Sequence, residues 1–94
     1  MQLRDNYKYT HISTNTTTVV ESAPCVLIAI IVNTTAAGTI TIVDSATTTT
    51  PVIGIIKASV TEGTYEYKVR TINGLSIITA AASDITVVTA QAPY

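Results

Sequence analysis

Threonine, isoleucine and valine dominate this chain. It contains 19 Thr, 13 Ile and 10 Val among 94 residues. These β-branched side chains lose rotamer freedom in a helix, and they pack well on the pleated surface of a sheet. The bias therefore predicts β-structure from one end of the chain to the other, and no segment shows a helical period.

Turn residues divide the chain at the short intervals typical of an all-β domain. The predicted strands cover 16–22, 25–32, 39–43, 52–60, 64–70, 75–79 and 83–89. The strand at 25–32 is apolar on both sides, which indicates a central or covered position. The number and spacing of the strands predict a single antiparallel β-sandwich or a jelly-roll-like barrel of seven to eight short strands.

The predicted domain organisation has three parts. An extended N-terminal arm covers 1–15, the sandwich covers 16–90 and a short tail covers 91–94. Inside the arm, alternation at Tyr7 and Tyr9 indicates one extended segment. We expect the arm to contact a partner and to be dispensable for folding of the sandwich.

Two of the glycines, Gly54 and Gly74, predict local features of the backbone. Asn73–Gly74 predicts a two-residue hairpin turn, since both residue types tolerate positive φ. Gly54 interrupts a predicted strand, which favours a bulge or a close approach of another group.

Charge and hydropathy exclude several classes of function. Only 12% of residues are charged, and the net charge is −1. Five dispersed basic residues do not form a nucleic-acid footprint. The longest apolar run, 23–32, contains Pro24 and is about half the length that a membrane-spanning helix needs. Because no apolar leader is evident, we expect synthesis in the cytoplasm of whatever cell makes the protein. Low charge favours a surface that partners cover.

The chain offers little reactive chemistry. It has one histidine and one cysteine. A Cys25–His11 dyad is conceivable, but we expect Cys25 to be a small buried hydrophobic residue. The carboxylates beside turn residues, Asp44, Glu62 and Asp84, are expected to bond the backbone of their own turns. The sequence thus predicts no catalytic residue, no metal site and no cofactor, and the protein is not expected to be an enzyme.

Tyrosine supplies all of the aromatic content. Tyrosines in a polar segment are common interface anchors, because the ring is apolar and the hydroxyl is polar. We therefore name Tyr7, Tyr9, His11 and Tyr94 as candidate partner-interface residues.

Three stretches carry a family resemblance. They are 36–44 (AAGTITIVD), 73–79 (NGLSIIT) and 82–88 (ASDITVV). In this pattern the chain resembles small β-sandwich virion proteins of tailed bacteriophages. The resemblance implies a capsid decoration (cement) protein, a homotrimer on the capsid surface that binds the major capsid protein and stabilises contacts between its subunits. The alternative is a tail, baseplate or fibre-associated module whose loop at 44–51 binds host-surface glycans.

Overall fold

The structure is a computed structural model, and it describes residues 7–35 and 37–91. This part of the chain contains eight β-strands and no helix. The strands are β1 (Tyr7–Ile12), β2 (Thr17–Glu21), β3 (Cys25–Thr34), β4 (Ile40–Val43), β5 (Val52–Ile56), β6 (Gly63–Arg70), β7 (Leu75–Thr79) and β8 (Asp84–Gln91). The predicted all-β fold is confirmed.

The strands form two antiparallel four-stranded sheets. Sheet A has the order β1-β8-β3-β6, and sheet B has the order β2-β7-β4-β5. Within these orders β1 pairs with β8, β2 with β7 and β4 with β5, while β3 pairs with both β6 and β8. This nested order is that of a jelly roll. Among the described connections, only β4–β5 joins neighbouring strands of one sheet.

The core lies between the two sheets. Sheet A and sheet B each contribute the alternate residues of their strands that face inward. The inward-facing cluster is made almost entirely of Ile, Leu and Val: Ile12, Val20, Leu27, Ile30, Val32, Ile40, Ile42, Ile56, Leu75, Ile77, Ile85 and Val87, with Cys25. The partly buried Tyr65, Tyr67 and Val69 pack against its margin. The β-branched bias of the sequence therefore fills one continuous apolar layer.

Two predictions about single strands agree with the structure. The doubly apolar strand, β3, lies inside sheet A between β8 and β6. Gly54 lies beside a register shift between β4 and β5, and a Cβ at this position would stand 3.3 Å from the ring of Tyr67. The glycine therefore leaves room for an aromatic ring that closes the core margin.

The N-terminal segment differs from the prediction in part. Residues 7–12 of the predicted arm form an edge strand of sheet A, paired with β8 over six residues. Ile12 is only 4% exposed and belongs to the core. Polar side chains on both sides of this strand obscure its place in the sheet, because alternation between Tyr and Lys gives no clear apolar face. Residues 1–6 and 92–94, with most of the predicted tail, lie outside the described residues.

The predicted hairpin at Asn73–Gly74 is wrong. β6 belongs to sheet A and β7 to sheet B, so this turn carries the chain across the core. Thr71 fixes the crossing, because its backbone N–H donates to the carbonyl of Cys25 at 2.7 Å. Gly74 has φ 143°, and a Cβ there would lie 2.9 Å from the carbonyl oxygen of Glu21. A sheet-crossing turn and a hairpin turn thus select the same residue types.

The membership of β1 in the sandwich can be tested with two Ile→Ala variants. Ile12→Ala should lower the free energy of unfolding by about 2–4 kcal/mol, since it opens a cavity in the core. Ile55→Ala is the matched control, because Ile55 is 62% exposed and its loss should cost less than about 1 kcal/mol. Urea unfolding measures both values. If both variants lost the same small amount of unfolding free energy, β1 would be an arm that does not pack in the sandwich.

One buried hydroxyl gives a second prediction. The Thr89 Oγ1 on the inner face of β8 has no hydrogen-bond partner among the described residues. A buried hydroxyl without a partner costs about 1–3 kcal/mol. Thr89→Val keeps the shape and should raise the free energy of unfolding by about 1 kcal/mol. Thermal and urea unfolding would report this gain, and a loss of stability would show that the hydroxyl is bonded.

Candidate interaction surface

The outward-facing side of sheet A, which we call the A face, is built from the longer strands of the sandwich, of six to ten residues against four to five in sheet B. Opposed residues of antiparallel strands lie on the same face. The register therefore arranges the A face in three rows across β1, β8, β3 and β6: Tyr7–Ala90–Val26–Arg70, Tyr9–Val88–Ala29–Glu66 and His11–Thr86–Ile31–Thr64. Each row begins with an aromatic or imidazole ring and has small or aliphatic residues in its middle.

Charge is nearly absent from the middle of the A face. Tyr7 and Tyr9 are 63% and 73% exposed on the β1 edge, while Glu66 and Arg70 line the β6 edge. Four strands about 4.8 Å apart and six to ten residues long give a face of roughly 500 Å², of which only the middle is apolar. Exposed apolar patches on soluble proteins often mark interaction surfaces.

A bulge in β3 adds to the apolar character of the A face. The register with β8 shifts between Leu27 and Ala29, so that Ile28 is an additional residue on β3. A bulge of this kind turns two consecutive side chains toward one side of the sheet. Leu27 and Ile30 remain fully buried in the core. Ile28 therefore joins Ala29 on the outward side without disturbing the packing below.

A polar cluster closes one end of the A face. The imidazole Nε2 of His11 hydrogen-bonds Asp84 Oδ1 at 2.6 Å. The amide of Asn33 donates to the same oxygen at 3.2 Å and to Thr86 Oγ1 at 3.1 Å. These bonds connect β1, β8 and β3. The hydrogen bond from His11, with that from Asn33, holds the pKa of the Asp84 carboxyl below its usual range.

A salt bridge connects the two sheets at the β1 edge. Lys8 Nζ lies 2.5 Å from Glu21 Oε2 on β2. Lys8 alternates with Tyr7 and Tyr9 and therefore points away from the A face. The single cation of β1 is thus paired with a carboxylate of the other sheet, and the A-face side of β1 carries rings only.

The end of the sandwich opposite to His11 is organised by Asp44. This buried carboxylate accepts the backbone N–H of Ile72 at 3.0 Å and that of Asn73 at 2.8 Å. We expected Asp44 to bond its own turn, and instead it bonds the turn between β6 and β7. Asp84 also differs from that expectation, since its described partners are His11 and Asn33. Glu62 accepts the N–H of Thr35, in the loop after β3.

The structure separates the two residues of the conceivable thiol–imidazole dyad. Cys25 pairs with Gln91 and His11 with Thr86, so the two residues are offset by five positions along β8, or about 16 Å. Cys25 is 2% exposed and faces the core. Its burial raises the pKa of the thiol, although a hydrogen bond from Thr71 acts in the opposite direction. The residue is a small core hydrophobe, as expected.

The outward side of sheet B, which we call the B face, is smaller and uncharged. Its rows are Thr17–Ile78–Thr41–Ile55 and Val19–Ser76–Val43–Val52. The loop at 44–51 lies over one end of this face, because Ser76 Oγ donates to the carbonyl of Ser45 at 2.6 Å. Val43 is consequently fully buried. The B face has shorter strands than the A face, and it carries the exposed aliphatic residues Val19, Val52 and Ile55.

Enclosed sites are absent from the described part of the chain. Residues 7–35 and 37–91 form no pocket and no group of three or more potential metal ligands. No helix in these ranges is long and apolar enough to cross a bilayer. Comparison of the chain with family models, curated proteins and solved structures gave no match.

Three of the four candidate interface residues lie on β1. Tyr7, Tyr9 and His11 share the outward side of β1, and Tyr94 lies outside the described residues. Their role as partner contacts stays a prediction. No local pattern indicated that Asp84 meets His11, because 73 residues separate them. The middle of the A face had two signals in the sequence, which are the second apolar side of β3 and the alternation along β8.

The Asp84 cluster predicts a pH dependence of stability. A carboxyl whose pKa is lowered by folding stabilises the fold above its usual value near 3.8, and this contribution is lost as the pH falls through the lower folded value. Asp84→Asn should therefore be less stable than the wild type at neutral pH, with a gap that closes in acid. Glu66→Gln, a change of an exposed carboxylate on β6, is the control. Urea unfolding as a function of pH measures the gap, and a gap that is constant down to strong acid would contradict the assignment.

Proposed function

We propose that this chain is a structural protein of a tailed-phage virion, a capsid decoration protein that binds the outer shell through its A face and stabilises contacts between major capsid subunits. The observation that carries the proposal is the A face itself. It is a broad, open and centrally uncharged sheet surface on a domain whose described residues enclose no pocket. Such a surface suits lasting contact with a protein.

The composition of the A face supports a protein partner. Tyrosine and arginine are enriched in protein interfaces, and charged residues are depleted from their centres. Tyr9 and Arg70 lie at opposite margins of the A face, and Val88 and Ile31 lie in its middle. Apolar contact in the centre would supply affinity, while Glu66 and Arg70 would orient the partner.

The fold is compatible with this role. Jelly rolls occur in viral capsid proteins, among other classes. A shared fold alone does not establish function, so this argument is an analogy that adds to the family resemblance. The resemblance also implies a homotrimer and a location on the capsid surface, after synthesis in the host cytoplasm. Membrane or nucleic acid is not part of the proposed set of partners.

Binding to the assembled shell explains how such a protein could act as a cement. A ligand that binds the assembled state and not the separated subunits stabilises assembly by mass action. No catalysis or cofactor is required. The effect depends only on the affinity and the concentration of the protein, and a protein with a nearly uncharged docking surface keeps that affinity when the salt concentration changes.

The alternative function, glycan binding by a tail or fibre module, would use the loop at 44–51. In this loop the hydroxyl of Ser45 accepts the backbone N–H groups of Thr47 and Thr48. The Thr48 hydroxyl donates to the carbonyl of Thr50 at 2.7 Å. These bonds hold the loop in shape and leave its exposed threonines, 47–50, as the candidate glycan contacts of the alternative function.

A pair of Ile→Glu variants tests the proposal. Ile31 and Ile78 are partly buried residues on inner strands, Ile31 on the A face and Ile78 on the B face. Ile31→Glu should weaken binding to undecorated shells by more than about tenfold, because it places an unpaired charge in the contact. Ile78→Glu should bind as the wild type does.

The measurement is occupancy on purified shells that lack the protein, followed by electron microscopy and sedimentation. Circular dichroism of both variants controls for folding. Equal binding by Ile31→Glu and Ile78→Glu would remove the A face as the docking surface. Binding of the isolated wild-type protein to host cells or glycans, without binding to shells, would favour the alternative function.

A further inference from the structure

The two sheets have four edge strands, and their regularity differs. The pairing of β6 with β3 shifts between Leu27 and Ala29, that of β2 with β7 shifts between Val19 and Glu21, and that of β5 with β4 shifts beside Val43. Irregular edges resist pairing with another chain. Within the described strands, β1 is the edge whose register runs without a shift, through six consecutive pairs with β8.

Among residues 7–35 and 37–91, nothing else protects the β1 edge. Its sequence, YKYTHI, contains no proline, and its lysine is drawn to Glu21 of sheet B. Proline and outward lysine are common means of blocking an edge strand. The free backbone of β1 is therefore available to another strand, and the exposed rings beside it would add side-chain contacts.

The side chains of β1 are symmetric about Tyr9. Rings stand at positions 7, 9 and 11 on the A-face side, and Lys8 and Thr10 alternate with them. In an antiparallel pair of two identical strands, residues directly opposite each other must point to the same face. A two-fold centred on Tyr9 fulfils this condition and sets ring opposite ring at three positions.

Other positions of the two-fold axis along β1 are less favourable. A two-fold centred on Lys8 would set two lysines directly opposite each other, and like charges in that position are destabilising. One centred on Thr10 would leave Tyr7 opposite Ser13, beyond the end of β1. The centre at Tyr9 sets Lys8 opposite Thr10 and forms aromatic cross-strand pairs, which stabilise a sheet.

We propose that β1 pairs with β1 of a second copy of this chain, antiparallel and centred on Tyr9, so that Tyr9 faces Tyr9 and Tyr7 faces His11 across a two-fold axis. The two A sheets then form one continuous eight-stranded sheet. The His11–Asp84 hydrogen bond fixes the ring that Tyr7 of the second copy meets. This is an isologous contact, which closes at two subunits, so the pairing is an alternative to the homotrimer that the family resemblance implies.

The pairing gives the proposed docking function a second point of attachment. This consequence rests on the proposed function, whereas the pairing itself does not. A two-fold perpendicular to the sheet keeps both A faces on the same side of the continuous sheet. Two linked A faces could bind two neighbouring capsid subunits, and linkage of two sites raises the overall affinity without any new type of contact.

Light scattering and sedimentation equilibrium of the full chain, without shells, test the pairing. The wild type should have the mass of two chains. Tyr9→Lys should raise the dissociation constant of the dimer about tenfold or more, because it replaces an aromatic pair with two like charges. Ile55→Lys, which puts the same charge on an exposed position of the β5 edge, should leave the dimer unchanged. An equimolar mixture of Tyr9→Lys and Tyr9→Glu should recover it.

A thiol variant locates the axis directly. Opposed residues of antiparallel strands have Cα atoms within the range that a disulfide requires. Tyr9→Cys should therefore form a covalent dimer under mild oxidation, while Ile55→Cys should not, and the native Cys25 is too deeply buried to interfere. A monomeric or trimeric wild type, or equal crosslinking of the two thiol variants, would overturn the proposal. These assays contain no shells, so a negative result would concern only the β1 pairing. Unchanged shell binding by Ile31→Glu would concern only the proposed docking through the A face.

Discussion

The position of β8 between β1 and β3 is the interaction on which the rest of the structure depends. The inward residues of β8, including Ile85 and Val87, are fully buried in the core. Its outward residues form the second position of each row of the A face. β1 and β8 are far apart in the sequence, and β1 is held in sheet A by its pairing with β8.

This arrangement gives a small domain one continuous apolar core, although its surface carries few charges. Each inward Ile, Leu or Val contributes on the order of 1.5–3 kcal/mol by burial, and jelly-roll nesting allows all eight strands to share one apolar layer. On the outside, threonine and aliphatic residues take positions that charged residues occupy in most soluble domains. Tyr7 and Tyr9 add exposed aromatic surface to this side of the domain. The A face and the β1 edge meet at these two residues, which connects docking to self-association.

The sequence indicated most strands, because the β-branched runs are separated by clear turn residues. β7, for instance, begins and ends at the predicted residues, Leu75 and Thr79. Strand order was beyond sequence reasoning, since turn chemistry at Asn73–Gly74 does not tell a hairpin from a crossing between sheets. The arm was misjudged because Ile12 is the only apolar aliphatic residue of β1.

The surface was less predictable than the fold. Exposed rings at Tyr7, Tyr9 and His11 indicated a contact region, and the register joined them to Val88 and Ile31 from strands far away in the chain. The His11–Asp84 hydrogen bond and the bulge in β3 depend on this long-range register. Neither has a local pattern in the sequence, so only the assembled sheet reveals them.

We propose that the A face is the docking surface. Electron cryomicroscopy of shells reconstituted with the wild-type protein would locate the sandwich on the shell. We expect density on the outer surface, with sheet A toward the capsid subunits and adjacent copies joined along β1. Density with sheet B or the loop at 44–51 toward the shell, or shells that remain bare at saturating protein, would contradict it.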